Sequence, residues 1–265
     1  MGYGIAVENV GEVDLYRFGR SNQVFRGPKP SLKKPYIAFI GGSEPFGKFV
    51  SVPFPKLVQR GINQACVNWG TPGAGPGFFL KDPIILEACS NSSVCVIQVM
   101  DAAPLSNRMY SVFPRRNMRL RGVSDVLKAL YPQINFDNFK YVRGMLRKLK
   151  DADSKAYDVV VAEQRSAWIA RMLELLEDIE TQKILLWLAP DDTKNSLVND
   201  EMIDVVSSHV DRLVKVSVPD KRRVDLFNSA EKDSGWMTRS VHKQVADTVA
   251  PELVALLSEE QKLTA

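Results

Sequence analysis

The chain has 265 residues, 45% hydrophobic and 25% charged, with 35 Lys/Arg against 31 Asp/Glu. That composition is ordinary for a globular protein and excludes collagen-like, coiled-coil and disordered classes. A formal net charge of +4 is too small by itself to imply a nucleic-acid partner.

No apolar run reaches the ~20 residues of a membrane helix. The N-terminal stretch lacks the basic-then-apolar order of a secretory signal, so a cytoplasmic location is expected. Cys66, Cys89 and Cys95 lie in or beside apolar segments, without paired Cys or His spacing. They read as free buried thiols, not as a disulfide framework or a zinc site. No metal or organic cofactor is implied.

Residues 1–35 are polar, carry Pro28 and Pro30, and read as an N-terminal arm or cap. An α/β domain is expected over 36–257 and a short tail over 258–265. Near-continuous apolar runs at 36–40, 65–68, 94–100, 184–189 and 213–218 have the pattern of parallel strands covered on both faces. Helical patterns fall between them. One ends near Arg60 and begins near Pro45, and a second covers 82–91. The clearest, over 154–180, carries Tyr157, Val160, Val161, Trp168, Met172, Leu175, Leu176 and Ile179 at spacings of three and four. Further helices are expected over 199–211 and 240–257, the last bent or split by Pro251. This alternation predicts a doubly wound sheet of five parallel strands in three layers, with ligands at the carboxyl ends of the strands.

Residues 104–150 stand outside the alternation as a helical insertion. They hold eleven Lys/Arg against two acids, so the rest of the chain is acidic. Arg115, Arg116 and Arg119 are the densest part. Guanidinium groups pair bidentately with carboxylate, phosphate or sulfate. An anionic substrate such as an acidic polysaccharide, or peripheral contact with an anionic membrane, would suit them. A solvated basic face with no partner fits the same residues. Tyr110 and Phe113 are too few aromatics for a nucleic-acid stacking platform.

The glycine loop Gly41-Gly42-Ser43-Glu44-Pro45-Phe46-Gly47-Lys48 follows the first strand and admits two chemistries. One is a serine nucleophile, with Ser43 exposed at a tight turn and backbone N–H groups at a helix start. The other is phosphate binding. Gly42 to Lys48 satisfies G-x-x-x-x-G-K, but Phe49 stands where a P-loop places its Ser or Thr, and Pro45 removes an N–H.

Ser43 with Gly47, followed by Asn68-Trp69-Gly70, resembles the first two blocks of the SGNH (GDSL-type) hydrolases. The run GGSEPFGKF…PFP…NWGTPGAGP also resembles a bacterial family with degenerate SGNH blocks. The SGNH resemblance implies a flavodoxin-like sheet and a serine esterase or O-acyltransferase. The substrate would be a small-molecule or carbohydrate ester, or a lipid-linked acceptor. In its terms Ser43 attacks, the N–H groups of Gly70 and Ser43 stabilise the oxyanion, and His242, which opens the last helix, is the base. Gly42 and Asn68 would contribute to substrate binding.

This chain departs from the family in three places. Gly42 replaces the first block's Asp. Met100-Asp101-Ala102-Ala103 replaces the third block, making Asn107 the nearest side-chain donor. Arg239 stands three residues before His242, so Asp233 would have to fold back to orient the imidazole. Two other readings stay open: a nucleotide- or sulfonucleotide-dependent transferase using Gly42–Lys48, and a catalytically lapsed binding module for an acidic glycan.

Overall fold

The computed structural model describes residues 5–7, 11–33, 35–113, 116–191, 193, 196–219 and 237–264. Its centre is a five-stranded sheet of β1 (Tyr36–Ile40), β2 (Ala65–Asn68), β3 (Val94–Gln98), β4 (Gln182–Pro190) and β5 (Arg212–Val218). All neighbours are parallel, in the order β5-β4-β3-β1-β2. This is the flavodoxin-like order, and its direction reverses between β1 and β3, where such folds place ligands.

Alternate side chains of each strand bury on opposite faces. On one face Ile37, Phe39, Val96, Leu186 and Val216 pack under α2 (Phe54–Ile62) and α9 (Arg239–Thr264). On the other, Ala38, Ile40, Ile97, Leu185 and Trp187 pack under α3 (Pro76–Phe79), α4 (Pro83–Ser90), α7 (Ser154–Glu177) and α8 (Asp200–Ser207). The three layers follow from strands that are apolar on both sides. Each large side chain so buried contributes about 2 kcal/mol.

Three expectations are corrected. The crossover from β1 to β2 is not one helix. It is the single turn α1 (Ser43–Phe46), a loop, and then α2. Gly47 ends α1 in the left-handed region at φ 64°, which glycine adopts without strain. Helix α9 runs through Pro251 unbroken, because Val245, Val249, Leu253 and Leu256 on both sides of it are buried on the sheet. The insertion is not purely helical. It opens with an antiparallel hairpin, Tyr110–Phe113 against Arg116–Val123, followed by α5 (Asp125–Leu130) and α6 (Val142–Ala152). Tyr110 and Val112 are buried while Phe113 is exposed, the period-two pattern of a strand, but the hairpin's other strand is crowded with arginines that obscure it.

The insertion carries its own small core of Tyr110, Leu127, Tyr131, Val142, Met145 and Leu149, joined to the sheet domain through Val160 of α7. Residues of the N-terminal segment pack in as well: Leu15–Tyr16 pairs with Phe25–Arg26, and Phe25 is fully buried. Among the described residues no helix is long and apolar enough to cross a membrane.

Candidate functional site

The register brings the glycine loop to the switch point. Phe39 lies opposite Asn68 of β2, and Ile40 lies opposite Ile97, one residue before Gln98 of β3. The chain therefore leaves β1 between Asn68 and Gln98. The Gly42 N–H donates to Gln98 Oε1 at 2.8 Å, while Gln98 Nε2 donates to the Val99 carbonyl. On the other side Asn68 Nδ2 donates to the Pro45 carbonyl at 2.6 Å, and Asn68 Oδ1 accepts the Gly70 N–H at 2.9 Å. Thr71 N–H closes on the Gly41 carbonyl at 3.0 Å.

Two glycines are required by this packing. A Cβ on Gly41 would stand 2.6 Å from Gln98 Oε1, and one on Gly70 would stand 2.6 Å from the Phe46 backbone nitrogen. Below the loop, the buried Arg26 donates to the carbonyls of Phe46 (3.0 Å), Gly47, Val50 (2.9 Å) and Ser51 (2.9 Å). Its burial lowers the guanidinium pKa. The result is a braced turn that leaves Ser43 exposed as the first residue of α1.

Of the expected residues, Gly42, Asn68 and Gly70 adjoin the serine turn, whereas His242 bonds to the start of α2. His242 lies in the first turn of α9, 1% exposed, stacked on Phe54 with ring centroids 5.8 Å apart. Its Nδ1 accepts the Phe54 N–H at 3.1 Å, and its Nε2 is buried without a hydrogen-bond partner among the described residues. Burial, with the Arg26 charge second, depresses its pKa to about 4. The imidazole is thus neutral and fixed to the N-terminus of α2, and no hydrogen bond joins it to Ser43. The hydrogen bond that the structure gives the imidazole is to Phe54, not to Ser43. The other histidine, His209, is exposed in the turn that leads into β5, at the opposite edge of the sheet.

The expected oxyanion donors are also taken. The Gly70 N–H is held by Asn68. Asn107 accepts the N–H groups of Met109 (2.8 Å) and Tyr110 (3.1 Å) and donates Nδ2 to Leu105, so it is the pivot of a turn. Of the expected set, only the Ser43 N–H has no described acceptor. In the phosphate-loop reading two of the loop's donors are already engaged: the Gly42 N–H with Gln98 and the Gly47 N–H with the Ser43 carbonyl at 3.0 Å. Lys48 rests instead on the Phe49 ring, 5.3 Å from its centroid.

In the insertion, Arg119 lies 5.9 Å from the Phe113 ring centroid, and Arg116 stands opposite Phe113 in the hairpin register. Met118 of the same strand reaches back to Gly73, so the hairpin covers the Asn68–Gly75 loop. Arg115 and Asp233 lie outside the described residues. Among the described residues no three His, Cys, Asp or Glu side chains gather as metal ligands. Cys89 and Cys95 are buried, with burial pushing the Cys89 thiol upward, and Cys66 is half-buried.

Two features were missed by sequence reasoning. Gln98 is a polar residue inside an apolar strand, a signal that was available. Arg26, in a polar segment, gave none.

The strand order, with a serine turn after β1 and an Asn-x-Gly turn after β2, defines an SGNH-like α/β fold. The chain belongs to the family described as "Domain of unknown function (DUF6473)", whose model matches residues 1–258. No curated protein matches it in sequence.

Similar solved structures include the lipase Lip_vut3 from a goat rumen metagenome, at 10% identity over 82% of this chain and 96% of that one, with a TM-score of 0.41. A putative lipolytic protein of the G-D-S-L family from Desulfitobacterium hafniense is similar at 13% identity over 82% and 99%, with a TM-score of 0.41. The acetylxylan esterase Axe2 from Geobacillus stearothermophilus is similar at 12% identity over 82% and 93%, with a TM-score of 0.39.

Proposed function

We propose that this chain is a ligand-recognition module on an SGNH scaffold, taking an anionic small molecule or acidic glycan at the strand-end crevice. The seat of His242 carries this reading. A serine hydroxyl needs a hydrogen-bonded base to become a nucleophile near neutral pH. The one histidine in the family's position is instead buried, with its Nδ1 lone pair taken by the Phe54 N–H. The capture of the Gly70 N–H by Asn68 supports the same reading, since it removes an oxyanion donor.

The test is labelling with a fluorophosphonate probe, read by intact mass. Folded wild-type protein is expected to carry no adduct. A single adduct on wild type that disappears in Ser43→Ala would overturn the reading.

A second reading is favoured by a specific observation. Ser43 is exposed on a turn that two glycines and four carbonyl-bound Arg26 hydrogen bonds hold in place. Such a turn suits a serine esterase or O-acyltransferase acting on an acylated carbohydrate or a lipid-linked acceptor, with a base other than His242. Hydrolysis of p-nitrophenyl acetate or of an acetylated sugar, lost in Ser43→Ala and kept in His242→Gln, is its expected signature.

A further inference from the structure

A cleft of about 690 Å³ opens beyond the carboxyl ends of β3, β4 and β5, adjoining the serine turn through Glu44. Its volume suits one ligand of mononucleotide or sugar-phosphate size. The insertion helix α6 forms one wall with Arg143, Arg147 and Lys150, and α7 adds Arg165. Arg143 is committed elsewhere: its guanidinium pairs with Asp101, at the end of β3, at 2.6 Å. That ion pair ties the insertion to the loop that leaves the carboxyl end of β3.

Arg165 is aimed by backbone. Its Nε donates to the Leu197 carbonyl and a terminal nitrogen donates to the Ser196 carbonyl, both at 3.1 Å. Those two bonds leave further N–H groups on the fork. Arg147 and Lys150 lie three residues apart on one face of α6, and among the described residues neither makes an ion pair or hydrogen bond. Like charges at this spacing repel when nothing lies between them.

Glu44 and Asp158 are the other acids lining the cleft, so the cationic side chains outnumber the acids once Arg143 and Asp101 are set aside as a pair. Tyr157, Trp187, Leu146 and Val161 supply apolar and aromatic lining for a ring.

We propose that this cleft binds the phosphate monoester of a ring-bearing small molecule, with Arg147, Lys150 and Arg165 holding the phosphate. A tetrahedral dianion matches three cations lining one cleft better than a single carboxylate does. The proposal rests on the reading that the strand-end crevice is the functional site. It is carried by residues other than Ser43 and His242, so fluorophosphonate labelling decides that reading separately.

The experiment is isothermal titration of the full chain with glucose 6-phosphate and AMP, and with glucose and adenosine as unphosphorylated controls. At least one phosphate ester is expected to bind about tenfold or more tightly than its parent. The Arg147→Ala/Lys150→Ala double variant is expected to lose about tenfold or more. Lys148→Ala, on the same helix but outside the cleft, is expected to bind as wild type does. Binding of glucose 6-phosphate alone assigns a sugar phosphate, and of AMP alone a nucleotide. Arg147 and Lys150 are both exposed, so the double variant is expected to keep the wild-type circular dichroism. Should it unfold, Lys150→Gln replaces it, with the same direction of effect. No binding of either ester, or wild-type binding by the folded variant, overturns the proposal.

Discussion

His242 and Phe54 are joined twice: the imidazole Nδ1 accepts the Phe54 backbone N–H at 3.1 Å, and the two rings stack 5.8 Å apart. Helix α2 begins after Pro53 with no side-chain cap of its own. A residue from α9 therefore does for α2 what a local Ser or Asp usually does. The bond links two helices that share one face of the sheet and are far apart in sequence. Replacing His242 by Ala removes the cap and leaves a cavity beside Phe54, so stability is expected to fall by about 2–4 kcal/mol. Urea denaturation checks it, and a loss below about 0.5 kcal/mol would contradict a structural role.

The same residue makes stability pH-dependent in a defined direction. Its folded-state pKa, about 4, lies below the ordinary 6.5 expected when unfolded. Between those values the unfolded chain binds a proton that the folded chain does not. Stability is therefore expected to decline as pH falls from about 6.5 to about 4, by up to about 3 kcal/mol. Glu163, whose pKa is lowered chiefly by its hydrogen bond to Arg108, also loses stabilisation in acid. The difference between wild type and His242→Gln isolates the histidine. Denaturant midpoints measured across this pH range should converge for the two proteins as pH falls. Parallel curves would disprove the assignment.

Gly70 is where the β2 turn touches the serine turn. An alanine there would place its Cβ 2.6 Å from the Phe46 nitrogen and 2.7 Å from Pro45 Cγ, and backbone cannot yield as a flexible side chain would. Gly70→Ala is expected to cost about 1–3 kcal/mol and to lower the melting temperature. Gly144→Ala, at an open position in α6, is the control and should be neutral or slightly stabilising.

Arg26 holds the loop between α1 and α2 through four backbone carbonyls, of which that of Gly47 also accepts the Val50 N–H at 3.2 Å. Arg26→Ala leaves buried acceptors unpaired and is expected to cost about 3–5 kcal/mol. Lysine, with one ammonium in place of a fork, should recover only part of it. Hydrogen exchange over residues 43–53 reads the local effect, and unchanged protection there would count against the bracing role.

The basic residues of the insertion divide between its hairpin and the cleft. Arg119 stays with the hairpin and the Phe113 ring. Arg143, Arg147 and Lys150 face the cleft because Val142, Met145 and Leu149 of the same helix must face the insertion's small core. A 3.6-residue period then fixes where the charged stripe points.

The sequence by itself determined the five strands, their parallel arrangement and the position of the glycine-serine turn. Continuous apolar runs such as Val94–Gln98 leave no other way to bury both faces, and a Gly-Gly-Ser end to β1 puts an exposed hydroxyl at a strand's carboxyl edge. Only the tertiary structure decided what surrounds that hydroxyl. Whether the Asn68 amide leaves the Gly70 N–H free, and whether His242 faces Ser43 or the start of α2, depends on separations of a few ångströms between elements distant in the chain. Spacing along a sequence carries no information at that scale, whereas hydrogen-bond satisfaction in a packed interior does.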